Sequence, residues 1–366
     1  MKNQTNQSTI EWKEVALGDI LDYEQPTKYI VTSEDYSDEY ETPVLTAGKS
    51  FILGCTDEKE GVYTRLPVII FDDFTTDNKF VNFKFKVKSS AMKLLTSKNQ
   101  NINLKYVFYM IQLINSKSTT HKRYYLSSYQ YRKIKIPFRN GSPDLETQQK
   151  IVAILEKAES LKEKRKQALK LLDEYLKSKF NEMFGDPASF KSKFNKIPFL
   201  KSIDKEASSN KLKIPQSEFL EDGDYPIIDQ GDNYIAGYTN NNSKVYKGAL
   251  PVIVFGDHTR ILKFINFPFA LGADGVKILV PDFKFNPCYF YYCLKLLDIP
   301  SVGYSRHFKF LKERDIPLPP LPLQQTFASI VEHVEKLKET QKKSLQEIET
   351  LFNALMQKAF NGELMK

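Results

Sequence analysis

The sequence predicts a mixed α/β protein made of two similar halves, each a globular unit followed by one long helix. Two observations carry this prediction. Four blocks of sequence recur in the same order about 183 residues apart, and each globular half is followed by a polar segment with the apolar spacing of a helix. We therefore expect one fold to occur twice, with a curved mixed sheet in each globular half.

The repeat is clearest in segments with strand patterning. Residues 67–71 (PVIIF) recur as 251–255 (PVIVF), and residues 79–85 recur as 263–269, both 184 residues later. Short runs rich in β-branched and aromatic residues are typical of buried strands. Two further apolar segments are predicted to be short helices that pack through aromatic side chains, at 104–115 and 287–298.

Two long segments carry the spacing of a coiled coil. Each follows an Ile-Pro pair and opens with Leu-x-x-Gln-Gln, at 145–149 and at 321–325. The expected helices, 147–184 and 323–360, would be roughly 55–60 Å long at ~1.5 Å per residue. Since such a helix cannot bury its apolar stripe alone, each is predicted to pair with the other. The predicted seam consists of Ile151, Ile154, Ala158, Leu161, Ala168, Leu172 and Tyr175, and of Phe327, Ile330, Val334, Leu337, Ile348 and Leu351.

One polar residue interrupts each helical seam near its midpoint. Arg165 and Gln341 are 176 residues apart, the same offset as the two Leu-x-x-Gln-Gln motifs. A polar residue at a seam position can fix the register of paired helices at some cost in stability. The alternative is that both side chains extend to solvent along their apolar stems.

Composition excludes several classes of protein. With 41% hydrophobic and 27% charged residues, the 366-residue chain has globular composition. The polar N-terminus and the absence of a long apolar run argue against a signal peptide and a membrane span. Three cysteines indicate a reduced, cytoplasmic protein without a disulfide framework. A net charge of +8 permits a nucleic-acid partner, and 13% aromatic residues indicate strand-rich cores or stacking surfaces.

The sequence contains no catalytic signature. It lacks a phosphate-binding loop, a dinucleotide fingerprint and the Asn/Asp-Pro-Pro-aromatic loop of amino-methyltransferases. Cys288 and Cys293 have no second pair of ligands at metal-site spacing, which favours free cysteines over zinc. We therefore expect no catalytic residue, no metal and no cofactor in this chain.

Polar loops follow the two matching strands. The loop 256–260 (GDHTR) comes after the strand 252–255, and 72–76 (DDFTT) holds the same place in the first half. Polar residues at strand ends often bind ligands. Because the two loops differ on an equal scaffold, they suggest recognition of two different things. The alternative is a hydrogen-bonded turn with a structural aspartate.

A basic and aromatic stretch also recurs, at 121–125 (HKRYY) and 304–309 (YSRHFK). Arginine and lysine can hold phosphates or read guanine, while tyrosine and histidine can stack on bases. A solvated basic edge is the alternative. The candidate DNA-binding residues are Lys49, Thr75, Lys79, Lys122, Arg123 and Tyr124 in the first half, and His258, Thr259, Arg260, Lys263, Arg306, His307 and Lys309 in the second.

Taken together, this layout resembles the DNA-specificity subunits of Type I restriction–modification systems. The resemblance covers essentially the whole chain. The first half departs from the pattern at 138–141 (FRNG), where the second half has Leu-Pro-Pro. The motifs that carry the resemblance are 316–325 (IPLPPLPLQQ), 358–364 (KAFNGEL) and 272–276 (GADGV) in the second half, with weaker versions at 136–138 (IPF), 145–149 (LETQQ) and 183–186 (MFGD) in the first.

The resemblance implies two target recognition domains, 1–140 and 188–318, each reading half of a bipartite sequence in double-stranded DNA. It implies that the segments 141–187 and 319–366 form an antiparallel coiled coil that spaces the two domains with pseudo-two-fold symmetry. It also implies a non-catalytic chain that docks methyltransferase subunits, two of them, on its helices. S-adenosylmethionine would then be bound by the methyltransferase, and a restriction motor-nuclease subunit would complete the assembly.

Two other functions stay open on the sequence. A stand-alone nuclease would use the loop that contains Asp257 and His258, and would need activity from the purified chain with a divalent metal. A purely protein-binding scaffold would use the helices and domains for assembly alone. The basic and aromatic stretches argue against the scaffold.

Overall fold

The computed structural model describes residues 10–46, 50–114, 125, 128–189, 193–206, 213–272, 275–301, 303 and 305–365. The chain forms two compact units. The first comprises residues 1–165 and 344–366, and the second comprises residues 166–343. Each unit therefore combines one globular half with a portion of both long helices.

The first unit is a mixed α/β fold. Its described strands form three small sheets, with the orders β1-β9-β10, β2-β8-β5-β6 and β4-β3-β7, and only the β3–β7 pair is parallel. The strands are β1 (Glu11–Ala16), β2 (Leu21–Glu24), β3 (Thr42–Leu45), β4 (Ile52–Thr56), β5 (Val68–Asp72), β6 (Asn78–Val81), β7 (Lys86–Val87), β8 (Met92–Ser97), β9 (Lys133–Arg139) and β10 (Ser142–Pro143), and the short helices are α1 (Leu17–Ile20) and α2 (Leu104–Ile114).

The second unit repeats this design. Its described strands pair in the orders β11-β18, β13-β12-β16 and β15-β14-β17, and the parallel pair β12–β16 corresponds to β3–β7. The strands are β11 (Lys196–Pro198), β12 (Tyr225–Ile228), β13 (Gly237–Thr239), β14 (Val252–Gly256), β15 (Leu262–Ile265), β16 (Ala270–Leu271), β17 (Val276–Leu279) and β18 (Asp315–Pro317), and the short helices are α4 (Pro287–Leu296) and α5 (Phe308–Lys312).

The predicted central strands and short helices are confirmed. Strands β5 and β14 are buried at every position, and each pairs with a strand on both sides. Helices α2 and α4 occupy the two segments predicted to be helical. Their apolar faces pack against the central strands. Tyrosines and phenylalanines form much of the core of both units.

Two long helices follow the globular halves, α3 (Leu145–Phe184) and α6 (Leu321–Asn361), as predicted. In the first unit, the beginning of α3 shares a core with the end of α6. In the second unit, the end of α3 shares a core with the beginning of α6. In each unit, the beginning of one long helix thus lies with the end of the other, as expected for antiparallel helices. A glycine of positive φ directly follows each helix, Gly185 at 82° and Gly362 at 74°, as is common at helix C-termini.

Part of the predicted helix seam is wrong. Five of the predicted seam residues are exposed: Ile154 (37%), Leu161 (44%), Tyr175 (47%), Leu337 (52%) and Leu351 (54%). The ends of the long helices face the globular halves as well as each other, so the buried row follows that combined surface, which a heptad pattern alone does not reveal. The buried helix positions include Ile151, Leu155, Ala158, Leu176, Phe180, Phe184, Phe327, Val331, Val334, Met356 and Ala359.

The two interrupting polar residues are both half-buried within their helices. Arg165 belongs to the first unit and Gln341 to the second. Their proposed role in setting the register of the helices stays a prediction.

Candidate nucleic-acid interface

The loops that follow β5 and β14 are the same tight turn. In the first unit the N–H of Asp72 donates to the carbonyl of Asp77 at 2.8 Å, and the N–H of Thr76 donates to the carbonyl of Asp72 at 3.0 Å. In the second unit Gly256, Ile261 and Arg260 make the two matching bonds, each 2.8 Å long. Thr76 and Arg260 both have φ of 65°. Each turn therefore reverses the chain through one left-handed residue.

The turns differ in what holds them. In the first unit the Asp72 carboxylate accepts hydrogen bonds from the N–H of Phe74 and the hydroxyl of Thr75, both at 2.8 Å. Glycine stands at the matching position 256. There the Thr259 hydroxyl donates to the carbonyl of Gln230 at 2.7 Å instead. The second turn is thus held by a neighbouring loop, and different side chains face solvent in the two units.

A buried aspartate lies next in each turn, and it holds the basic and aromatic stretch. Asp73 and Asp257 are 3% and 4% exposed. The Asp73 carboxylate accepts the N–H of Tyr125 at 3.0 Å, and the Asp257 carboxylate accepts the N–H of Phe308 at 2.8 Å. A charge-assisted bond to a backbone amide fixes the segment that carries it. In the first unit this bond links the turn to Tyr125, and in the second it links the turn to the segment that carries Arg306 and Lys309.

The basic segment of the second unit divides into an exposed part and a buried part. Arg306 and Lys309 are exposed, whereas His307 is only 1% exposed. The His307 backbone N–H donates to the Asp257 carbonyl at 2.7 Å, and its Nδ1 lies 3.1 Å from the same oxygen. In the first unit Tyr125 is buried. The remaining predicted residues of that segment, Lys122, Arg123 and Tyr124, lie outside the described residues, as does Lys49.

The two lysines that the repeat aligns have different surroundings. Lys79 is exposed, and its Nζ lies 5.9 Å from the ring centroid of Phe51. Lys263 is 3% exposed, and its Nζ donates to the carbonyl of Asn233 at 2.6 Å and lies 3.4 Å from the Asp229 carboxylate. Burial lowers the pKa of Lys263. Lys263 therefore holds the loop after β12 from within, while Lys79 is exposed.

The predicted residues of the second turn surround a small hollow. His258 is half-buried, and its N–H donates to Oε1 of Gln230 at 3.1 Å. Thr259 and Arg260 are exposed and line a hollow of about 380 Å³. The Arg260 guanidinium donates to the carbonyl of Ile299 at 2.9 Å, which ties the turn to the segment after α4. The His258 N–H and the Thr259 hydroxyl donate within the protein, so the exposed Arg260 supplies the positive charge and the further N–H donors at this end of the central strand.

Comparison with known proteins agrees with this arrangement. Residues 9–171 and 203–350 each match the family model of the Type I restriction modification DNA specificity domain. The chain is 33% identical over 363 residues to the Type I restriction enzyme EcoR124I/EcoR124II specificity subunit of Escherichia coli, covering 90% of this chain and 87% of that protein. The chain belongs to the family of Type I restriction–modification DNA-specificity subunits.

Solved structures of this family share the fold. The S subunit of a Type I restriction–modification system from M. genitalium superimposes with a TM-score of 0.60 at 16% identity, over 98% of both chains. A structure described under complex assembly and conformational transition of the type I R-M system gives a TM-score of 0.53 at 18% identity, over 98% of this chain and 100% of the other. The two-fold repeat is thus a property of the specificity-subunit fold.

Among the described residues of the specificity subunit, no group of three or more His, Cys, Asp and Glu side chains could hold a metal ion. The nuclease alternative relied on Asp257, which is only 4% exposed and whose Oδ1 accepts the N–H of Phe308. This geometry supports the structural interpretation of that aspartate. Among the described helices, none is both long and apolar enough to cross a bilayer.

Sequence reasoning overlooked two residues that organise this interface. Asp73 was not singled out, and Asp257 entered only as a possible catalytic or structural group. The signal was present in the repeat, because the two aspartates occur 184 residues apart next to a buried strand. A charged residue retained beside an apolar strand in both halves indicates a buried hydrogen-bond role.

Proposed function

We propose that this specificity subunit reads a bipartite target in double-stranded DNA, one half-site per globular half. The observation that carries the proposal is the shared frame of the two turns. Both are built on the same backbone hydrogen bonds and the same buried aspartate, yet they expose different side chains. Two domains that bind different half-sites need the same backbone structure with different exposed side chains.

In this proposal the exposed basic residues neutralise phosphates and the turns read base edges. Arginine and lysine provide the salt-dependent part of the affinity, whereas hydrogen-bond donors and acceptors in the major groove distinguish the bases. Exposed Lys79, Arg306 and Lys309 suit phosphate contacts. Thr75, Thr259 and Arg260 lie at the turns and suit base contacts.

The long helices supply the proposed docking surface for methyltransferase subunits. Each unit carries exposed apolar residues on its helices, among them Leu161 and Leu351 in the first and Tyr175 and Leu337 in the second. Exposed apolar patches mark protein interaction sites. Two copies suggest two methyltransferase subunits, which would bind S-adenosylmethionine and carry out the chemistry. A restriction motor-nuclease subunit would join this cytoplasmic complex.

The decisive experiment measures binding to DNA in which each half-site is altered separately. The target is first identified as the methylated motif in cells that contain this chain and its methyltransferase. Binding of the chain and methyltransferase to the intact target is then compared with binding to DNA altered in one half-site. Either change is expected to weaken binding by about 10-fold or more, since each mismatched base pair typically costs about 1–3 kcal/mol. Unchanged affinity after either alteration would refute the bipartite model.

A further inference from the structure

One lysine of the first unit is surrounded by three aromatic rings. The Nζ of Lys105 lies 4.5 Å from the ring centroid of Phe80 and 5.4 Å from those of Phe108 and Tyr109. The electron-rich face of an aromatic ring attracts a cation at such distances. We call these three rings the first cage, and Lys105 is its occupant.

The second unit has three aromatic rings at the matching positions, but no lysine at the position of Lys105. Phe264, Tyr291 and Tyr292 stand at the matching positions of the repeat and form the second cage. The centroids of Phe264 and Tyr291 are 5.6 Å apart, and those of Tyr291 and Tyr292 are 5.3 Å apart. The corresponding separations in the first cage are 5.9 Å and 5.7 Å. The two cages therefore have similar distances between their rings, and they differ in one ring, Phe108 against Tyr291.

Cysteine occupies the position of the missing lysine. Cys288 corresponds to Lys105, and it is half-buried at the same place on α4. Burial raises the pKa of its thiol to about 12, so the side chain is neutral as well as short. The second cage consequently opens into a groove of about 700 Å³, bordered by the rings, Cys288 and the helix α6.

Carboxylates strengthen the case for a cation in both cages. The Tyr109 hydroxyl donates to Glu159 at 2.8 Å, and the Tyr292 hydroxyl donates to Glu335 at 3.4 Å. A carboxylate beside the phenol adds negative potential to the ring and its surroundings. The groove of the second unit is also lined by Glu332 and Glu339.

Four lysines line the groove of the second cage: Lys295, Lys336, Lys338 and Lys342. Lys338 donates to Asp173 at 2.6 Å and to Glu335 at 2.7 Å, and Lys336 donates to Glu332 at 2.8 Å. Lys295 lies 5.8 Å from the centroid of Tyr292, farther than Lys105 lies from any ring of the first cage. Within the described part of the chain, no lysine or arginine lies over the ring of Phe264 or Tyr291.

We propose that the second cage binds one lysine or arginine side chain supplied by a partner polypeptide. That side chain takes the place that Lys105 holds in the first unit. The proposal rests on the docking of partner subunits proposed above, because α6 forms one wall of the groove. It adds the chemistry of one contact, and it predicts that the two halves dock their partners unequally.

A substitution within the chain tests whether the second cage accepts an ammonium group. Cys288→Lys should raise the Tm of the full chain by about 1–4 °C, given the usual strength of exposed cation–π contacts. Cys288→Met adds length without charge and serves as the matched control. The gain should disappear when Cys288→Lys is combined with Tyr291→Leu. A lysine variant that melts below the methionine variant would overturn the proposal.

A small probe tests binding from outside. The full chain is labelled with 3-fluorotyrosine and titrated with n-butylammonium chloride, which mimics a lysine side chain, and with sodium chloride at equal ionic strength. Fluorine resonances of the cage are assigned through Tyr291→Phe and Tyr292→Phe. Saturable shifts with n-butylammonium are expected in the unaltered chain and not in Cys288→Lys, whose own ammonium fills the cage. Equal shifts with sodium chloride, or in Cys288→Lys, would refute the inference.

A third experiment measures binding to the partner subunit. Affinity for the purified methyltransferase subunit should fall about 3- to 30-fold in Cys288→Lys and in Tyr291→Leu. Cys55→Lys adds the same charge at the half-exposed cysteine of the first unit and should bind normally. If the unaltered chain fails to bind the subunit, the docking proposal fails. If it binds and both cage variants bind equally well, only the cage proposal fails.

Discussion

The Asp257 carboxylate accepts a hydrogen bond of 2.8 Å from the backbone N–H of Phe308, a residue 51 positions further along the chain. The same bond joins Asp73 to Tyr125 in the first unit at 3.0 Å. Each aspartate links the turn after the central strand to the end of the basic and aromatic stretch, at Tyr125 in the first unit and at Phe308 in the second. Because both aspartates are buried, their effect on DNA must pass through the segments they hold.

This relationship predicts half-site-specific defects. Asp257→Asn removes the charge but keeps the shape, so the fold should persist while the second basic segment loses its firm anchor. Affinity for DNA should fall about 2- to 10-fold through the half-site read by the second unit. Binding to targets altered in one half-site at a time measures this. Asp73→Asn is the corresponding variant of the first unit and should affect the other half-site; because Asp73 also pairs with the buried Lys93 at 3.5 Å, it should lower the stability of that unit as well. Equal losses at both half-sites in each variant would contradict the prediction.

Substituting an exposed basic residue should change the salt dependence of DNA binding, whereas substituting a buried one should not. Arg306→Ala should reduce the slope of log affinity against log salt by about 0.9, the value for one lost phosphate contact. Lys263→Met should leave that slope unchanged and lower stability instead, because it leaves the Asp229 carboxylate and the Asn233 carbonyl without their ammonium. Fluorescence binding titrations across a salt series, with urea unfolding of each variant, distinguish the two. A reduced slope in Lys263→Met would count against this division.

The sequence alone predicted the repeat, the long helices and the central strands, because each has a local pattern. It could not separate Lys79 from Lys263, which align within the repeat. Lys263 is buried because Asp229 supplies a carboxylate, and Thr46 stands at the matching position of the first unit. Whether this lysine is buried thus depends on a residue more than thirty positions away in the sequence. The prediction of the helix seam was partly wrong for a related reason, because contacts with the globular halves also decide which face of each long helix is buried.

Acid should weaken the first unit through Glu58. This carboxylate accepts hydrogen bonds from the N–H groups of Thr32 and Ser33 and pairs with Lys86 at 2.7 Å. The hydrogen bond from Lys86 lowers the pKa of Glu58 to about 2. Because the folded-state pKa lies below the unfolded value of about 4.5, the stabilisation is present above pH 4.5 and is lost as the pH falls towards 2.

The test compares urea unfolding midpoints between pH 2.5 and 7. Glu58→Gln should lower the midpoint at pH 7 and flatten its decline in acid, since the glutamine does not titrate. Glu34→Gln is the control: that carboxylate also pairs with a lysine, Lys88, but is 81% exposed, so solvent and salt screen the pair. Parallel pH profiles for Glu58→Gln and the unaltered chain would show that this carboxylate does not carry the acid sensitivity.

The first glutamine of each Leu-x-x-Gln-Gln motif should be essential to the stability of its unit. Gln324 is fully buried; its Oε1 accepts the N–H of Asn286 at 2.7 Å, and its Nε2 donates to the carbonyls of Lys284 and Pro319 at 3.1 and 2.8 Å. Asn286 in turn caps α4 by accepting the N–H of Cys288 at 2.9 Å. One side chain therefore joins the start of a long helix to the start of the short helix.

Gln324→Leu has nearly the same volume and removes all three bonds, which leaves buried backbone groups unsatisfied. We expect a loss of about 2–4 kcal/mol in the free energy of unfolding of the second unit. Gln325→Ala changes the exposed neighbour in the same motif and should cost less than about 0.5 kcal/mol. Gln148 makes the matching bond to Asn103 at 2.9 Å, so Gln148→Leu should destabilise the first unit instead. Hydrogen exchange measured separately for α2 and α4 would show which unit each variant loosens, and loosening of both by either variant would contradict independent anchoring.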